Sequence, residues 1–326
     1  MHRETLGEFG RIREFFAPLA GPGGLGLGDD AALVECAPGR RIVATVDQAV
    51  EGVHFLPDDP PDLVAKKLLR RNLSDLAAMG AMPRHYLLTT ALPKSRGDDW
   101  VKRFAQGLGE DQRRFGLHLI GGDSTSTSGP AVLTLTALGE VAVGGEIRRS
   151  GAKPGDRIWV SGTIGDAFLG LKVLREGNGA LAPEHCAELV VRYRTPDPRV
   201  ELGVRLGGIV HAMIDVSDGL IADLGHVCEQ SGAAATVRLN AMPLSEPAAA
   251  LVGGDETLRA QLASGGDDYE LLFTAAPERG VTIARLSAAL NLPITEIGVV
   301  ESGSGVRVLD ADGRPVALAA GGWRHF

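Results

Sequence analysis

Apolar and polar positions along the chain follow two periods, one typical of strands and one typical of helices. In the first third, β-branched and apolar runs predict strands over residues 40–50, 85–93, 117–122 and 131–141. Apolar residues at helical spacing predict helices over 62–81 and 98–116, and Gly80 with Pro83 is expected to stop the first of them. The pattern therefore indicates mixed α and β structure.

A polar, glycine-rich break at residues 144–156 separates this part from the rest of the chain. The later pattern predicts a strand over 157–162, a helix over 166–177, a strand, loop and helix over 211–232, and a β-rich region over 293–318. A chain of 326 residues is long enough for two cores, because single cores stop growing near about 250 to 300 residues. We place the domains at 1–147 and 148–326.

Composition and charge exclude several classes of protein. No apolar run approaches the ~20 residues that cross a bilayer. The amino-terminal segment carries charges where a signal peptide would be apolar, so the sequence predicts a cytoplasmic protein. A net charge of -8 argues against a nucleic-acid partner. The cysteines, at 36, 186 and 228, are far apart and are expected to be buried free thiols.

Several aspartates lie just after strands or inside apolar segments, where a bare charge would be costly. They are Asp29, Asp30, Asp47, Asp75, Asp123, Asp215 and Asp218. Taken singly, each has a simpler explanation: Asp75 as a solvated helix residue, Asp123 as a turn former, Asp218 as the N-cap of a helix beginning at Gly219. Together, carboxylates at strand ends suit Mg²⁺, which takes oxygen ligands and often bridges protein carboxylates to substrate phosphates.

The segment LHLIGGDSTSTSG, residues 117–129, shows why a metal is needed. A Gly-Gly turn after a strand can bring backbone donors to a phosphate, yet Asp123 follows at once. A metal ion would let this carboxylate and a phosphate share one site. Other phosphate motifs fail: residues 21–26 spell G-x-G-x-x-G without a preceding strand, and neither a Walker A loop nor the protein-kinase motifs occur.

Longer motifs carry a resemblance to a known family. They are GDDAAL (28–33), VDQAVEGVHF (46–55), NLSDLAAMGAMP (72–83), GGDST (121–125), RRSGAKPGD (148–156), SGTIGDA (161–167), DVSDGLIADL (215–224), SGGDDYELLFT (264–274) and the final GGWRHF. In these the chain resembles the thiamine-monophosphate kinase family, within the aminoimidazole ribonucleotide synthetase-like ATP-binding superfamily. EGVHF and NLSDLAAMGA are similar to the kinase and not to its relatives.

The resemblance implies a two-domain PurM-like fold of α/β and α+β type, with an amino-terminal sheet domain that forms a barrel in a homodimer and a carboxy-terminal α+β domain. It implies ATP-dependent phosphorylation of thiamine monophosphate to thiamine diphosphate, by direct transfer of the γ-phosphate with several Mg²⁺ ions. The alternatives are another ATP-dependent superfamily enzyme, such as aminoimidazole ribonucleotide synthetase, and a noncatalytic nucleotide-binding scaffold.

The resemblance also implies roles for individual residues. The implied metal ligands are Asp29, Asp30, Thr45, Asp47, Asp75, Asp123, Asp215 and Asp218, and of these Asp47, Asp75 and Asp123 are the implied catalytic set. The implied ATP contacts are Gly121, Gly122, Ser217 and one of Arg148 and Arg149. The implied contacts of thiamine monophosphate are His54, Tyr269, Glu270 and Trp323. Each of these four positions has a simpler explanation: a satisfied core histidine for His54, a core aromatic for Tyr269 or Trp323 and a helix-start acid for Glu270.

Overall fold

The computed structural model describes residues 6–179 and 181–316. Contacts divide the chain into two units. The first extends to Gly144, except that Ala77–Gly80 belong with the second, which continues from Gly145. Among the described helices, none has the length and apolar character needed to cross a bilayer.

The first unit contains a four-stranded sheet and two long helices. Its elements are α1 (Glu8–Arg11), β1 (Arg40–Val50), α2 (Pro61–Ala78), β2 (Met82–Pro93), α3 (Asp98–Phe115), β3 (His118–Thr127) and β4 (Val132–Ala142). The strand order is β1-β4-β2-β3, in which β4 pairs antiparallel with both β1 and β2, and β2 pairs parallel with β3. The four strands and two long helices predicted from the periodicity are therefore confirmed.

Helix α3 shows how local sequence sets the ends of an element. Its first turn carries Asp98 and Asp99 and its last turn Arg113 and Arg114, which complement the helix dipole. Gly116 then adopts a left-handed φ of 69° and ends the helix, as its sequence predicts.

The second unit is a mixed sheet with helices. Its elements are β5 (Arg157–Ser161), α4 (Asp166–Glu176), α5 (Pro183–Arg194), α6 (Val200–Arg205), β6 (Ala212–Asp215), α7 (Leu220–Ser231), β7 (Ala234–Arg238), α8 (Glu246–Val252), α9 (Glu256–Ser264), β8 (Leu271–Ala275), α10 (Gly280–Leu290), β9 (Ile294–Glu301) and β10 (Gly305–Leu309). The strand order is β10-β7-β9-β5-β8-β6, and only the β10–β7 pair is parallel. Its hydrophobic core includes Ile158, Ile214 and Leu272, each at most 1% exposed.

Two expectations from the sequence are wrong. Gly121 and Gly122 do not form a turn, because β3 continues through both of them to Thr127. The pairing of β3 with β2 shifts register at Ile120, just before the two glycines. Cys36 is exposed, although Cys186 and Cys228 are buried free thiols as expected. Cys36 lies in a segment without helix or strand, where no core forms to cover it.

Candidate functional site

A first cluster of candidate residues lies where β1 faces α2. Along β1 the odd positions from Val43 to Ala49 are more buried than the even ones between them, because successive side chains point to opposite faces of a sheet. Thr45 and Asp47 are odd positions. The hydroxyl of Thr45 donates to the Asp75 carboxylate at 2.6 Å, and the Arg71 guanidinium donates to Asp47 at 3.3 Å. Two side-chain contacts, one hydroxyl–carboxylate and one guanidinium–carboxylate, thus join β1 to α2.

A second cluster lines a cavity of about 420 Å³ beside β3. Asp29, Asp30, Gly121, Gly122 and Asp123 all line this cavity. The carboxylate of Asp123 is exposed and accepts a hydrogen bond from the backbone N–H of Ser124 at 2.9 Å. The cavity therefore combines three carboxylates with the backbone of two glycines.

The two clusters of the first unit lie at opposite edges of its sheet. Asp123 is in register with Thr89, which is exposed, whereas Asp47 is in register with Leu135, which is fully buried. Neighbours in register point to the same face, so Asp47 and Asp123 lie on different faces. Three strand spacings of about 4.8 Å separate their strands. In the first unit as folded, these carboxylates form two groups and not one.

His54 lies in the turn that follows β1. Its Nδ1 accepts the backbone N–H of Val50 at 3.1 Å, and the ring is half-buried. In the neutral ring the proton is then on Nε2, which makes Nε2 the remaining hydrogen-bonding atom of the side chain.

In the second unit, the DVSDGL segment folds around a carboxylate that sequence reasoning missed. The backbone N–H groups of Ser217, Asp218 and Gly219 all donate to Oδ2 of Asp223, at 3.0 to 3.1 Å. Burial and the neighbouring charge of Asp218 raise the pKa of Asp223 to about 7. The three N–H donors act in the opposite direction but do not cancel this effect. An acid in the first turn of α7 was the available signal, since such acids often bind free N–H groups.

Three ligand atoms, one in this segment and two on the following helix α7, lie close enough together to hold a cation. Asp218, Asp223 and His226 each offer an atom within 4.8 Å of the others. Asp215, at the end of β6, is buried. The N-cap of α7 is Gly219 and has no side-chain cap, so the alternative that Asp218 caps this helix is wrong.

Glu270 is fully buried and paired with two arginines. It accepts hydrogen bonds from Arg192 at 2.8 Å, from Arg199 at 2.6 Å and from the hydroxyl of Ser161 at 2.6 Å. Burial opposes its ionisation, but Arg199 and Arg192 outweigh that effect and lower the pKa of Glu270. The residue precedes β8, so the alternative of a helix-start acid is wrong.

Tyr269, next to Glu270, is in an uncommon backbone conformation. Its φ is 52° and that of Asp267 is 72°, both in the left-handed region that costs free energy for residues with a side chain. The Tyr269 hydroxyl donates to Asp267 at 3.0 Å, and its ring is 3% exposed. Backbone bonds from Asp267 to Ser217 and from Tyr269 to Val216 join this turn to the DVSDGL segment.

The remaining candidates are two arginines and a tryptophan. Arg148 and Arg149 are both exposed, and Arg148 pairs with Glu146 at 3.0 Å. Trp323 lies outside the described residues. Sequence reasoning named neither Arg71 nor the pair of Arg192 and Arg199, because arginines are usually solvated and nothing local marks these three as largely buried.

Comparisons with known proteins match both units. The family described as AIR synthase related protein matches with its N-terminal domain at residues 28–141 and with its C-terminal domain at 153–311. The thiamine-monophosphate kinase of Caulobacter vibrioides is 42% identical to this chain, over 98% of this chain and 90% of its own length.

Solved structures give the same result. The crystal structure of thiamine-monophosphate kinase from Stenotrophomonas maltophilia K279a is similar with a TM-score of 0.82 and 41% identity, over 89% of this chain and 91% of that one. A structure described as AaThiL complexed with AMPPCP and TMP is similar with a TM-score of 0.78 and 31% identity, over 100% of this chain and 99% of that one. The likeness therefore spans the whole length of the chain.

Proposed function

The chain belongs to the thiamine-monophosphate kinase family, and from that premise we propose that it transfers the γ-phosphate of ATP to thiamine monophosphate, giving thiamine diphosphate and ADP. The observation that carries the proposal is 42% identity to a curated enzyme of this name over 98% of the chain. The similar structure described with AMPPCP and TMP supports a nucleotide and an acceptor phosphate as the two ligands. Because ATP is a co-substrate made and used inside cells, a cytoplasmic location is part of the proposal.

Mg²⁺ is the metal that the donor set fits best. The candidates offer carboxylate and hydroxyl oxygens, which are the hard ligands that Mg²⁺ prefers, and among them no thiolate is present. We assign as metal ligands Asp29, Asp30, Thr45, Asp47, Asp75, Asp123, Asp215 and Asp218. The separation of Asp47 and Asp123 within the first unit favours more than one ion. When bound, Mg²⁺ supplies positive charge that neutralises the two reacting phosphates.

Binding and orientation are the tasks left to the other side chains. In the proposal, Gly121 and Gly122 present backbone to ATP, Ser217 donates to it, and Arg148 or Arg149 pairs with its phosphates. His54, Tyr269, Glu270 and Trp323 belong to the site of thiamine monophosphate. Because Glu270 is fully buried between two arginines, we assign it the task of holding Tyr269 in place.

The reaction needs no protein nucleophile. The attacking phosphate oxygen is already ionised near neutral pH, so a general base is unnecessary, and His54 acts by contact alone. Phosphoryl transfer of this kind depends mainly on alignment of the two oxygens and on stabilisation of the spreading charge. Asp47 with Asp75 on one face of the sheet, and Asp123 on the other, would serve the reaction by holding the cations that neutralise the phosphates.

A homodimer completes the proposal. Among the described residues β1 pairs only with β4, so no described strand covers its other edge. The even positions of β1 from residue 40 to residue 48 are exposed, and they include Ile42 at 44% and Val46 at 61%. An open edge with exposed apolar residues is typical of a strand that pairs with another chain.

The test is product analysis with purified protein. ATP, Mg²⁺ and thiamine monophosphate should yield thiamine diphosphate and ADP in equal amounts. We expect Asp75→Asn to reduce the rate at least about a hundredfold, since one carboxylate of the charge-neutralising set is lost, while the circular dichroism spectrum is retained. Asp58→Asn, at an exposed position outside the set, should retain the rate.

Two results would overturn this function. Folded protein that forms no thiamine diphosphate would exclude the kinase and leave a noncatalytic nucleotide-binding scaffold. Formation of aminoimidazole ribonucleotide from its ring-open precursor and ATP would instead identify the rival synthetase.

A further inference from the structure

Arg71 holds a position that neither the motifs nor the proposed mechanism explains. It lies on α2 one turn before Asp75, and residues four apart on a helix share one face. That face meets Thr45 and Asp47 of β1. The side chain of Arg71 is 12% exposed and that of Asp47 is 26% exposed, so their contact is largely shielded from water.

The contact places two cations in competition. The guanidinium of Arg71 donates to Oδ1 of Asp47, and a metal bound by the same carboxylate would sit close to that positive charge. Like charges a few ångströms apart repel strongly where water is largely excluded. Conversely, without a metal, the Asp47 carboxylate would lose this counter-charge if Arg71 were absent.

We propose that Arg71 competes with Mg²⁺ for Asp47, so that it stabilises the metal-free site and sets the Mg²⁺ concentration at which the site fills. The inference rests on the proposed function, because it takes Asp47 as a metal ligand. Arg71 is then a positioning residue: it acts on substrates only through the carboxylate that it holds.

The proposal predicts two effects of opposite sign, which a purely structural role would not produce. Removal of the guanidinium should destabilise the metal-free protein, because Asp47 loses its counter-charge. The same change should tighten Mg²⁺ binding, because the repulsion disappears. If Arg71 had only a structural role, its removal would instead lower both the stability of the metal-free protein and the affinity for Mg²⁺.

The experiment is calorimetric titration of Mg²⁺ into nucleotide-free protein, together with thermal unfolding in EDTA. We expect Arg71→Gln to bind Mg²⁺ about tenfold more tightly than the unsubstituted chain and to unfold at a lower temperature in EDTA. Arg71→Lys, which keeps the charge, should restore the original affinity. Arg103→Gln is the matched control, since it removes an exposed arginine paired with Asp62 in the same unit and should leave Mg²⁺ affinity unchanged.

A second measurement follows Mg²⁺ binding in the unsubstituted protein alone. The Nε–H signal of Arg71 in a ¹⁵N spectrum, identified by its loss in Arg71→Lys, should shift as Mg²⁺ is added to the unsubstituted protein, because Asp47 releases the guanidinium. An unshifted signal would overturn the proposal.

The outcomes separate this inference from the proposed function. If the unsubstituted chain forms thiamine diphosphate and Arg71→Gln binds Mg²⁺ equally or more weakly, the role of Arg71 is rejected and the kinase assignment stands. If the unsubstituted chain neither binds Mg²⁺ nor forms thiamine diphosphate, both are rejected.

Discussion

Buried acids in the second unit show how single residues hold an otherwise unfavourable backbone. Glu270 gains two arginines and a hydroxyl on burial, which offsets the loss of water around its charge. Asp268, two residues earlier, accepts the backbone N–H groups of Gly165 at 2.7 Å and Ala167 at 3.2 Å. The two acids flank Tyr269, so the left-handed backbone between them is anchored on both sides.

Asp268 should give the stability of the protein a measurable pH dependence. Burial, reinforced by the charge of Asp166, raises its pKa from 3.8 to about 8, although the two N–H donors and Arg192 oppose the shift. Between these values the folded state binds a proton that the unfolded state has released. The free energy of unfolding therefore falls as pH rises through this window, by at most about 1.4 kcal/mol per pH unit.

Asp268→Asn removes this titration. We expect the free energy of unfolding of the variant, measured by urea denaturation at pH 5, 6.5 and 8, to fall less steeply with pH than that of the unsubstituted protein. Asp223 is present in both proteins, so its contribution cancels in the comparison. Equal slopes would mean that Asp268 remains ionised in the folded state.

The candidate residues could be picked out from the sequence, but their hydrogen-bond partners could not. Asp47 and Asp75 stand out because a charge inside an apolar run needs a reason. Arg71, Arg192 and Arg199 carry no such signal, since an arginine is normally solvated, whether it lies on a helix or, as Arg199 does, just before one. Their burial depends on which elements pack against them, and only the tertiary structure decides that.

At the scale of elements, the pairing of β2 with β3 depends on one glycine. A Cβ on Gly122 would lie 1.8 Å from the carbonyl oxygen of Leu88. The backbone could move away from such a Cβ only by breaking the pairing of β2 with β3. Glycine is therefore required at position 122 for packing, independently of its proposed contact with ATP. Loss of activity in a Gly122 variant would therefore not by itself identify an ATP contact.

Gly122→Ala should lower the free energy of unfolding by about 3 kcal/mol, because overpacking against backbone has no flexible side chain to relieve it. Gly129→Ala is the control, since its Cβ would meet Oγ1 of Thr127 at an ordinary 3.6 Å. Chemical denaturation of both variants measures the difference. Similar stabilities would show that the strand can shift to accept a side chain.

Elements with strong local signals could be predicted, and elements shaped by tertiary contacts could not. Helix α3 has charges at both ends and a terminal glycine, and its observed bounds are within one residue of the prediction. Strand β3 was expected to end at the Gly-Gly pair, because glycines usually mark turns. Instead β2 supplies hydrogen-bonding partners as far as Thr127, and that pairing overrides the local preference.

At the scale of the whole molecule, the proposed dimer depends on the exposed edge of β1. In a two-fold symmetric interface each substitution occurs twice, so a single buried charge on one strand is doubled. Ile42 lies on the exposed face of β1, five residues before Asp47 and away from the candidate ligands in sequence. It can therefore report on association with little direct effect on the metal cluster.

Ile42→Lys should convert the dimer to monomers in sedimentation velocity at micromolar concentration, because a lysine on an edge strand opposes pairing with another strand. Val281→Lys is the matched control: Val281 is 64% exposed on α10 of the second unit and lies outside the proposed edge, so its dimer should persist. A monomeric unsubstituted protein would reject the dimer. If the dimer persists in Ile42→Lys, its interface lies on another surface. The exposed apolar positions of β1 would then have to be covered by something other than a second copy of the chain.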